Sequence, residues 1–213
     1  MRRLKQLRTY EVALSKAGLG PVAGVDEAGR GACCGPLTIA ACILPERIIP
    51  ELASLTDSKK LSPATRERLF PIIQDKAVAW AVLHIGARDI DKHGIQHANI
   101  SGMRRAVAQL GTRPHYVLSD ALFIPGVGLP QLPIVGGDGA ARCIAAASVL
   151  AKVSRDRIMA ELDERYPGYG LAGHKGYGTA VHRAAIVRLG ASPQHRLSYR
   201  NVAEAHAEFL ARA

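Results

Sequence analysis

The sequence predicts an α/β fold: a mixed sheet of five strands flanked by helices, rather than an all-parallel barrel. Three observations carry this expectation. Short apolar runs come first along the chain, and helical spacing then alternates with them. A segment near residues 140–164 is alanine-rich, and its early turns are apolar on nearly every side. No internal repeat, low-complexity segment or linker interrupts the 213 residues.

Residues 1–20 read as a basic lead-in. Arg2, Arg3, Lys5 and Arg8 are basic, while Leu4, Leu7, Val12 and Leu14 are loosely spaced for one helical face that ends at Gly18 and Gly20. The domain proper is expected over 21–213, with strands at 22–26, 37–44 and 78–85. Ser62 followed by Pro63 is a helix cap for a segment through Gln74. Ile90, Ile95, Ile100, Met103, Val107 and Leu110 keep mostly helical spacing as far as Gly111, with a break at Gly94. A fourth strand is expected from Tyr116 into Ser119-Asp120. A fifth follows at 132–135, ahead of Gly136-Gly137-Asp138 and the long helix.

Composition narrows the class. Hydrophobic residues make up 48% and charged residues 22%, ordinary for a chain that buries one sizeable core. Lys and Arg outnumber Asp and Glu by 28 to 18, and the resulting charge of +10 favours a polyanionic partner, nucleic acid foremost. The basic residues are spread along the chain, apart from the N-terminus and the run from His174 to Arg200, which suggests a folded basic face. No apolar stretch reaches the roughly 18 residues that span a bilayer, and no apolar segment of a signal peptide is present, so a cytoplasmic protein is expected. Cys33, Cys34, Cys42 and Cys143 lack C-x-x-C spacing and read as small core residues. His174 and His182 do not have the i, i+4 spacing of a helical metal site, so zinc is not expected.

The chemistry concentrates at Asp26-Glu27, which close an apolar run and enter the turn Ala28-Gly29-Arg30-Gly31. Neighbouring side chains within a strand point to opposite faces, but at a strand end entering a flexible turn two acids can converge. Oxygen ligands placed there suit a hard cation such as Mg²⁺ or Mn²⁺, and the glycines let backbone approach a phosphate substrate. The plain alternative is a solvated turn. A dinucleotide fingerprint fails because Cys34 stands where glycine is required, and a P-loop fails because His174 follows Gly168 and Gly173 where lysine is required. Ligands of such sheets gather at the carboxyl ends of strands. Asp120 ends the fourth strand and Asp138 follows the fifth, so four acids are expected on one rim. Asp138 also fits a role as an N-terminal helix charge.

Six stretches in order make the chain resemble the ribonuclease HII family over most of 21–199. They are Asp26-Glu27-Ala28-Gly29-Arg30-Gly31, Asp57-Ser58-Lys59-Lys60-Leu61-Ser62, Asp120-Ala121-Leu122, Gly137-Asp138, the segment from Ala145 to Asp156, and the segment from Tyr166 to His182 that contains His174-Lys175-Gly176-Tyr177-Gly178-Thr179. The resemblance implies an RNase H-like fold with a C-terminal helical region. It also implies hydrolysis of RNA in RNA–DNA hybrids and incision at single ribonucleotides embedded in duplex DNA. It makes Asp26, Glu27, Asp120 and Asp138 the metal-binding catalytic acids. Gly29, Arg30 and Gly31 become the turn that reads the 2′-hydroxyl at the RNA–DNA junction, and Tyr177 the aromatic that contacts the junction, the alternative for Tyr177 being a packed loop aromatic. Lys59, Lys152, Lys175 and Arg196 are expected to bind substrate, with Arg183 and Arg200 on the same basic surface. Only 25 residues precede Asp26, which favours type II over the related type III enzymes. Ala32-Cys33-Cys34 stands where the family more often has Pro-Leu-Ala. Two Mg²⁺ or Mn²⁺ ions about 3.5–4 Å apart would suffice for phosphodiester hydrolysis by water, with 5′-phosphate and 3′-hydroxyl ends and the second ion completed by substrate. A monomer is expected. A non-catalytic hybrid binder and a nuclease acting on DNA are the rival readings.

Overall fold

The computed structural model describes residues 5–212, so Arg2, Arg3 and Leu4 of the basic lead-in lie outside the described residues. A short 3-10 turn, Lys5–Leu7, precedes α1 (Thr9–Lys16). The strands are β1 (Val22–Ala28), β2 (Leu37–Ile43), β3 (Ala79–Ile85), β4 (Tyr116–Asp120) and β5 (Gln131–Ile134). Between them run α2 (Pro63–Lys76), α3 (Ala87–His93) and α4 (Ile95–Ala108), and after them α5 (Arg142–Arg165), α6 (Leu171–His174), α7 (Ala180–Leu189) and α8 (Arg200–Leu210).

Most of these elements follow from local chemistry. Ser62 Oγ accepts from Thr65 N–H and Pro63 opens α2, which satisfies an orphan donor and sets φ for the first turn. Gly94, at φ 80°, separates α3 from α4 at the expected break. The five-stranded sheet is mixed and has the order β3-β2-β1-β4-β5. β1, β4 and β5 run parallel, with Val25 opposite Ser119 and Asp120 opposite Ile134. Boundaries differ from expectation by a residue or two; the one that touches the acids is that of β1, which continues through Glu27 to Ala28 and so carries the acid pair within its last residues. β1 lies between β2 and β4 in the sheet, and its chain leaves the strand at Gly29, inside the expected turn.

The chain divides into two compact units. Among the described residues the first comprises 5–28, 39–83 and 100–153, and the second 29–38, 84–99 and 154–212. The first unit packs the alanine-rich start of α5 against the sheet. Ala145 to Ala147, Val149, Leu150 and Ala151 are fully buried among Ala40, Cys42, Ile49, Leu52, Leu69 and Ile73. Gly24 permits this approach, because a Cβ there would fall on the backbone of Cys143 and Ile144. The core of the second unit gathers Cys33, Cys34, Met159, Leu162, Tyr169, Leu171, Ile186 and Val202. All four cysteines are buried and free, as small core residues. Among the described residues no helix is long and apolar enough to cross a membrane.

Candidate metal centre and substrate-contact residues

In the first unit, β1 and β4 pair in parallel as far as Val25 opposite Ser119, and Asp26 and Asp120 are the next residues of the two strands. After β5, Gly136 turns with a left-handed φ of 67° into the 3-10 turn Gly137–Gly139, which presents Asp138. Carboxylate oxygens of Asp26, Asp120 and Asp138 lie within 4.8 Å of one another. Gly137 N–H donates to Asp120 Oδ1 at 2.8 Å, tying the Asp138 turn to β4. Ala121, next to Asp120, holds a positive φ of 56°, a conformation a non-glycine residue adopts only under local constraint. Glu27 lies outside the group of three, because alternation within the lengthened β1 directs it differently from Asp26. Its charge nevertheless reaches Asp26.

The electrostatics are those of a site short of positive charge. Burial pushes the Asp26 carboxyl well up, and repulsion from Glu27 and Asp120 adds to it, against hydrogen bonds from Ser148 and the Glu27 backbone. Asp138 is pushed up to about 6 by burial, by a hydrogen bond shared with Asp57 and by the charge of Asp120. Its buried Oδ2 receives no hydrogen bond. Lys59 pairs with Asp138 Oδ2, with Nζ at 3.8 Å on a side chain that is 79% exposed. Burial lowers the Lys59 pKa, but Asp138, Asp26, Asp57 and Asp120 raise it overall. Three converging oxygen donors, one of them orphaned, match the donor set of a hard divalent cation.

Three participants had no role assigned from sequence. Asp57 shares its hydrogen bond with Asp138, and Ser148 Oγ lies 2.8 Å from Ser58 Oγ while also supporting Asp26. All three lie within matched stretches, but nothing local reveals a contact between residues 58 and 148. Lys152 is half-buried on α5 and engaged by neighbours.

The second unit holds the glycine turn and the tyrosine. Gly29 has φ 86°, and the exposed Arg30 donates to Gln96 Oε1 at 2.8 Å. Tyr177 is 42% exposed, so it is not a buried packing aromatic. Lys175 is half-buried at φ 52°. Arg196 is a correction. It is fully buried and cannot grip a phosphate; instead its guanidinium donates to the carbonyls of Gly35 and Arg30 and to Tyr199 Oη. Arg183 and Arg200 are exposed but paired with Glu208 and Glu204, so their charges are partly answered.

Tertiary packing also unites histidines that sequence spacing keeps apart. His174 and His182 stack at 4.4 Å, and His182 Nε2 lies 3.0 Å from His195 Nε2. Cys34 approaches within 4.8 Å of both His182 and His195. The hydrogen bonds fix one proton order. His182 Nδ1–H donates to the Tyr177 carbonyl, His195 Nε2–H donates to His182 Nε2, and His195 Nδ1 accepts from Ser192 N–H. The nitrogens a metal would use are occupied by this chain. Burial, reinforced by His182, lowers the His195 pKa to about 4, which keeps the ring neutral.

The ribonuclease HII family model matches residues 23–202. A ribonuclease HII of Corynebacterium efficiens is 70% identical over 209 residues, covering 98% of this chain and 90% of that protein. The crystal structure of ribonuclease H2 from Pyrococcus horikoshii is 26% identical with a TM-score of 0.76, covering 89% of this chain and 98% of that one. A crystal structure of Bst-RNase HIII in complex with Mn²⁺ shares the fold at a TM-score of 0.74 and 22% identity, over 92% of this chain and 73% of that one.

Proposed function

This chain belongs to the ribonuclease HII family, a family of metal-dependent nucleases with RNase H activity on RNA–DNA hybrids, and we propose that it also incises at single ribonucleotides embedded in duplex DNA, leaving 5′-phosphate and 3′-hydroxyl ends. The observation that carries the reading is the convergence of Asp26, Asp120 and Asp138 at the carboxyl ends of three adjacent parallel strands.

Asp26, Asp120 and Asp138 would hold the divalent ions, with Glu27 as the fourth acid. Mg²⁺ or Mn²⁺, as two ions of which the second is completed by substrate, supplies charge for the phosphate oxygens and acidity for the attacking water. The complex of Bst-RNase HIII with Mn²⁺ supports this choice of cation. Ser148 and the Glu27 backbone hold the Asp26 carboxylate in one orientation, and Gly137 does the same for Asp120. Lys59 offsets the acids' charge and is exposed enough to meet a substrate phosphate. In the second unit, the Gly29-Arg30-Gly31 turn would read the 2′-hydroxyl, and the exposed Tyr177 ring would contact the sugar. Lys152 and Lys175 would add phosphate contacts. The protein would act as a monomer.

The test is cleavage of a DNA duplex carrying one ribonucleotide, beside an all-DNA duplex, with Mg²⁺ and with Mn²⁺, and with the product ends mapped. Incision at the ribonucleotide alone, with the stated ends, is expected. Equal cutting of the all-DNA duplex would refute recognition of the 2′-hydroxyl, and 2′,3′-cyclic ends would refute attack by water.

A further inference from the structure

Arg155 is the least expected side chain of the second unit. It is fully buried, yet it carries a guanidinium, a group whose removal from water costs several kcal/mol unless its donors are met. Here they are met by backbone. Nε donates to the Pro36 carbonyl at 2.9 Å, Nη2 to Cys34 at 3.1 Å and Nη1 to Lys175 at 2.9 Å. Its central carbon lies 5.7 Å from the centroid of the Tyr177 ring. Gly29 is pressed against the same side chain: a Cβ at Gly29 would fall on Arg155 Nε.

These contacts belong to two chain segments. Residues 29–36 form the glycine turn and its continuation, and residues 175–177 form the tyrosine loop. A hydrophobic side chain of similar volume would fill the space without the desolvation cost. The planar fork adds what such a side chain lacks, fixed directions to three carbonyls at once. Lys175, whose carbonyl is one of the three, sits at a positive φ of 52°, which the hydrogen bond helps to hold.

We propose that Arg155 is a positioning residue for ribonucleotide recognition, its guanidinium setting one spacing between the Gly29–Gly31 turn and the Tyr177 ring so that both read the same nucleotide. The proposal rests on the reading of that turn and Tyr177 as the junction-contacting groups. It assigns Arg155 no contact with the reacting atoms.

The experiment is a double-mutant cycle on the full chain, with kcat/KM measured on a duplex carrying one ribonucleotide. Arg155→Lys keeps the charge and loses the fork, and it is combined with Tyr177→Ala. Coupling between groups in one network predicts a loss of about tenfold or more for Arg155→Lys in the parent. In the Tyr177→Ala background the same change should cost less than about threefold. The Mn²⁺ concentration giving half-maximal activity should be unchanged by Arg155→Lys. Amide exchange should quicken at both 31–35 and 175–178. Should Arg155→Lys fail to fold, Arg155→Gln takes its place in the same cycle.

Equal losses in the two backgrounds, or a shifted metal midpoint, would overturn the positioning role while leaving the reading of Tyr177 intact. If Tyr177→Ala alone cleaved as fast as the parent, the reading itself would fall and the inference with it.

Discussion

Replacing Asp26 with asparagine should separate the stability of the metal centre from its activity, in opposite directions. The substitution is nearly isosteric. The asparagine Oδ1 still accepts from Glu27 N–H, which bonds Asp26 Oδ1 at 2.7 Å, and its amide can donate to Ser148 Oγ. What disappears is a buried negative charge with carboxylates of Asp120 and Asp138 within 4.8 Å. At an effective dielectric of 20, two full charges that far apart repel by about 3 kcal/mol. Protonation already relieves part of this, since burial and Glu27 push the Asp26 carboxyl well up. The metal-free variant should therefore gain about 1–2 kcal/mol, or about 2–8 °C in Tm for a chain of this size. Activity should fall by about a thousandfold, the equivalent of roughly 4 kcal/mol of lost transition-state stabilisation. Thermal unfolding with EDTA and then with Mn²⁺, beside single-turnover cleavage of an RNA–DNA hybrid, measures all three quantities. The Mn²⁺-induced rise in Tm seen in the parent should shrink strongly in the variant. Near-parental cleavage, or a metal-free variant less stable than the parent, would refute the picture of a charge-strained cation site.

Gly29→Ala should cost about 1–3 kcal/mol of stability, from the positive φ and the clash with Arg155, and should depress cleavage at a single ribonucleotide; denaturant midpoints and kinetics check both. Arg196→Met should destabilise by about 2–4 kcal/mol by stripping buried carbonyls of their donor. It should leave the salt dependence of duplex binding unchanged, whereas Lys175→Ala should lower that log–log slope by about 0.9 if Lys175 meets a phosphate. His195 makes stability depend on pH. Its folded pKa of about 4 lies below the ordinary 6.5, so the unfolded chain takes up the proton first. Stability is complete above about pH 6.5 and is lost as pH falls toward 4, by at most about 3 kcal/mol from this group. Urea unfolding between pH 7 and pH 4.5 should show a shallower fall in His195→Gln than in the parent.

By itself the sequence determined most of the elements and pointed to the acids that converge. Ser62-Pro63 caps α2 and Gly94 breaks α3 from α4 through interactions with residues a few positions away. Asp26, Asp120 and Asp138 were legible because each sits where a strand ends or has just ended, and parallel strands bring their carboxyl ends together. Tertiary structure alone decided which charges face water and which polar groups meet. Arg196 read as a substrate-gripping cation and Arg155 had no role assigned from sequence, yet both are buried beneath backbone carbonyls. Glu27 read as the twin of Asp26, but it lies outside the group Asp26 forms with Asp120 and Asp138, while its charge still reaches Asp26. Ser58 and Ser148 meet across 90 positions, and His182 on α7 meets His195 in the loop before α8. The physical reason is range. Helix caps, turns and strand runs are set by near neighbours, whereas burial and hydrogen-bond partnership depend on segments that only the folded chain brings together.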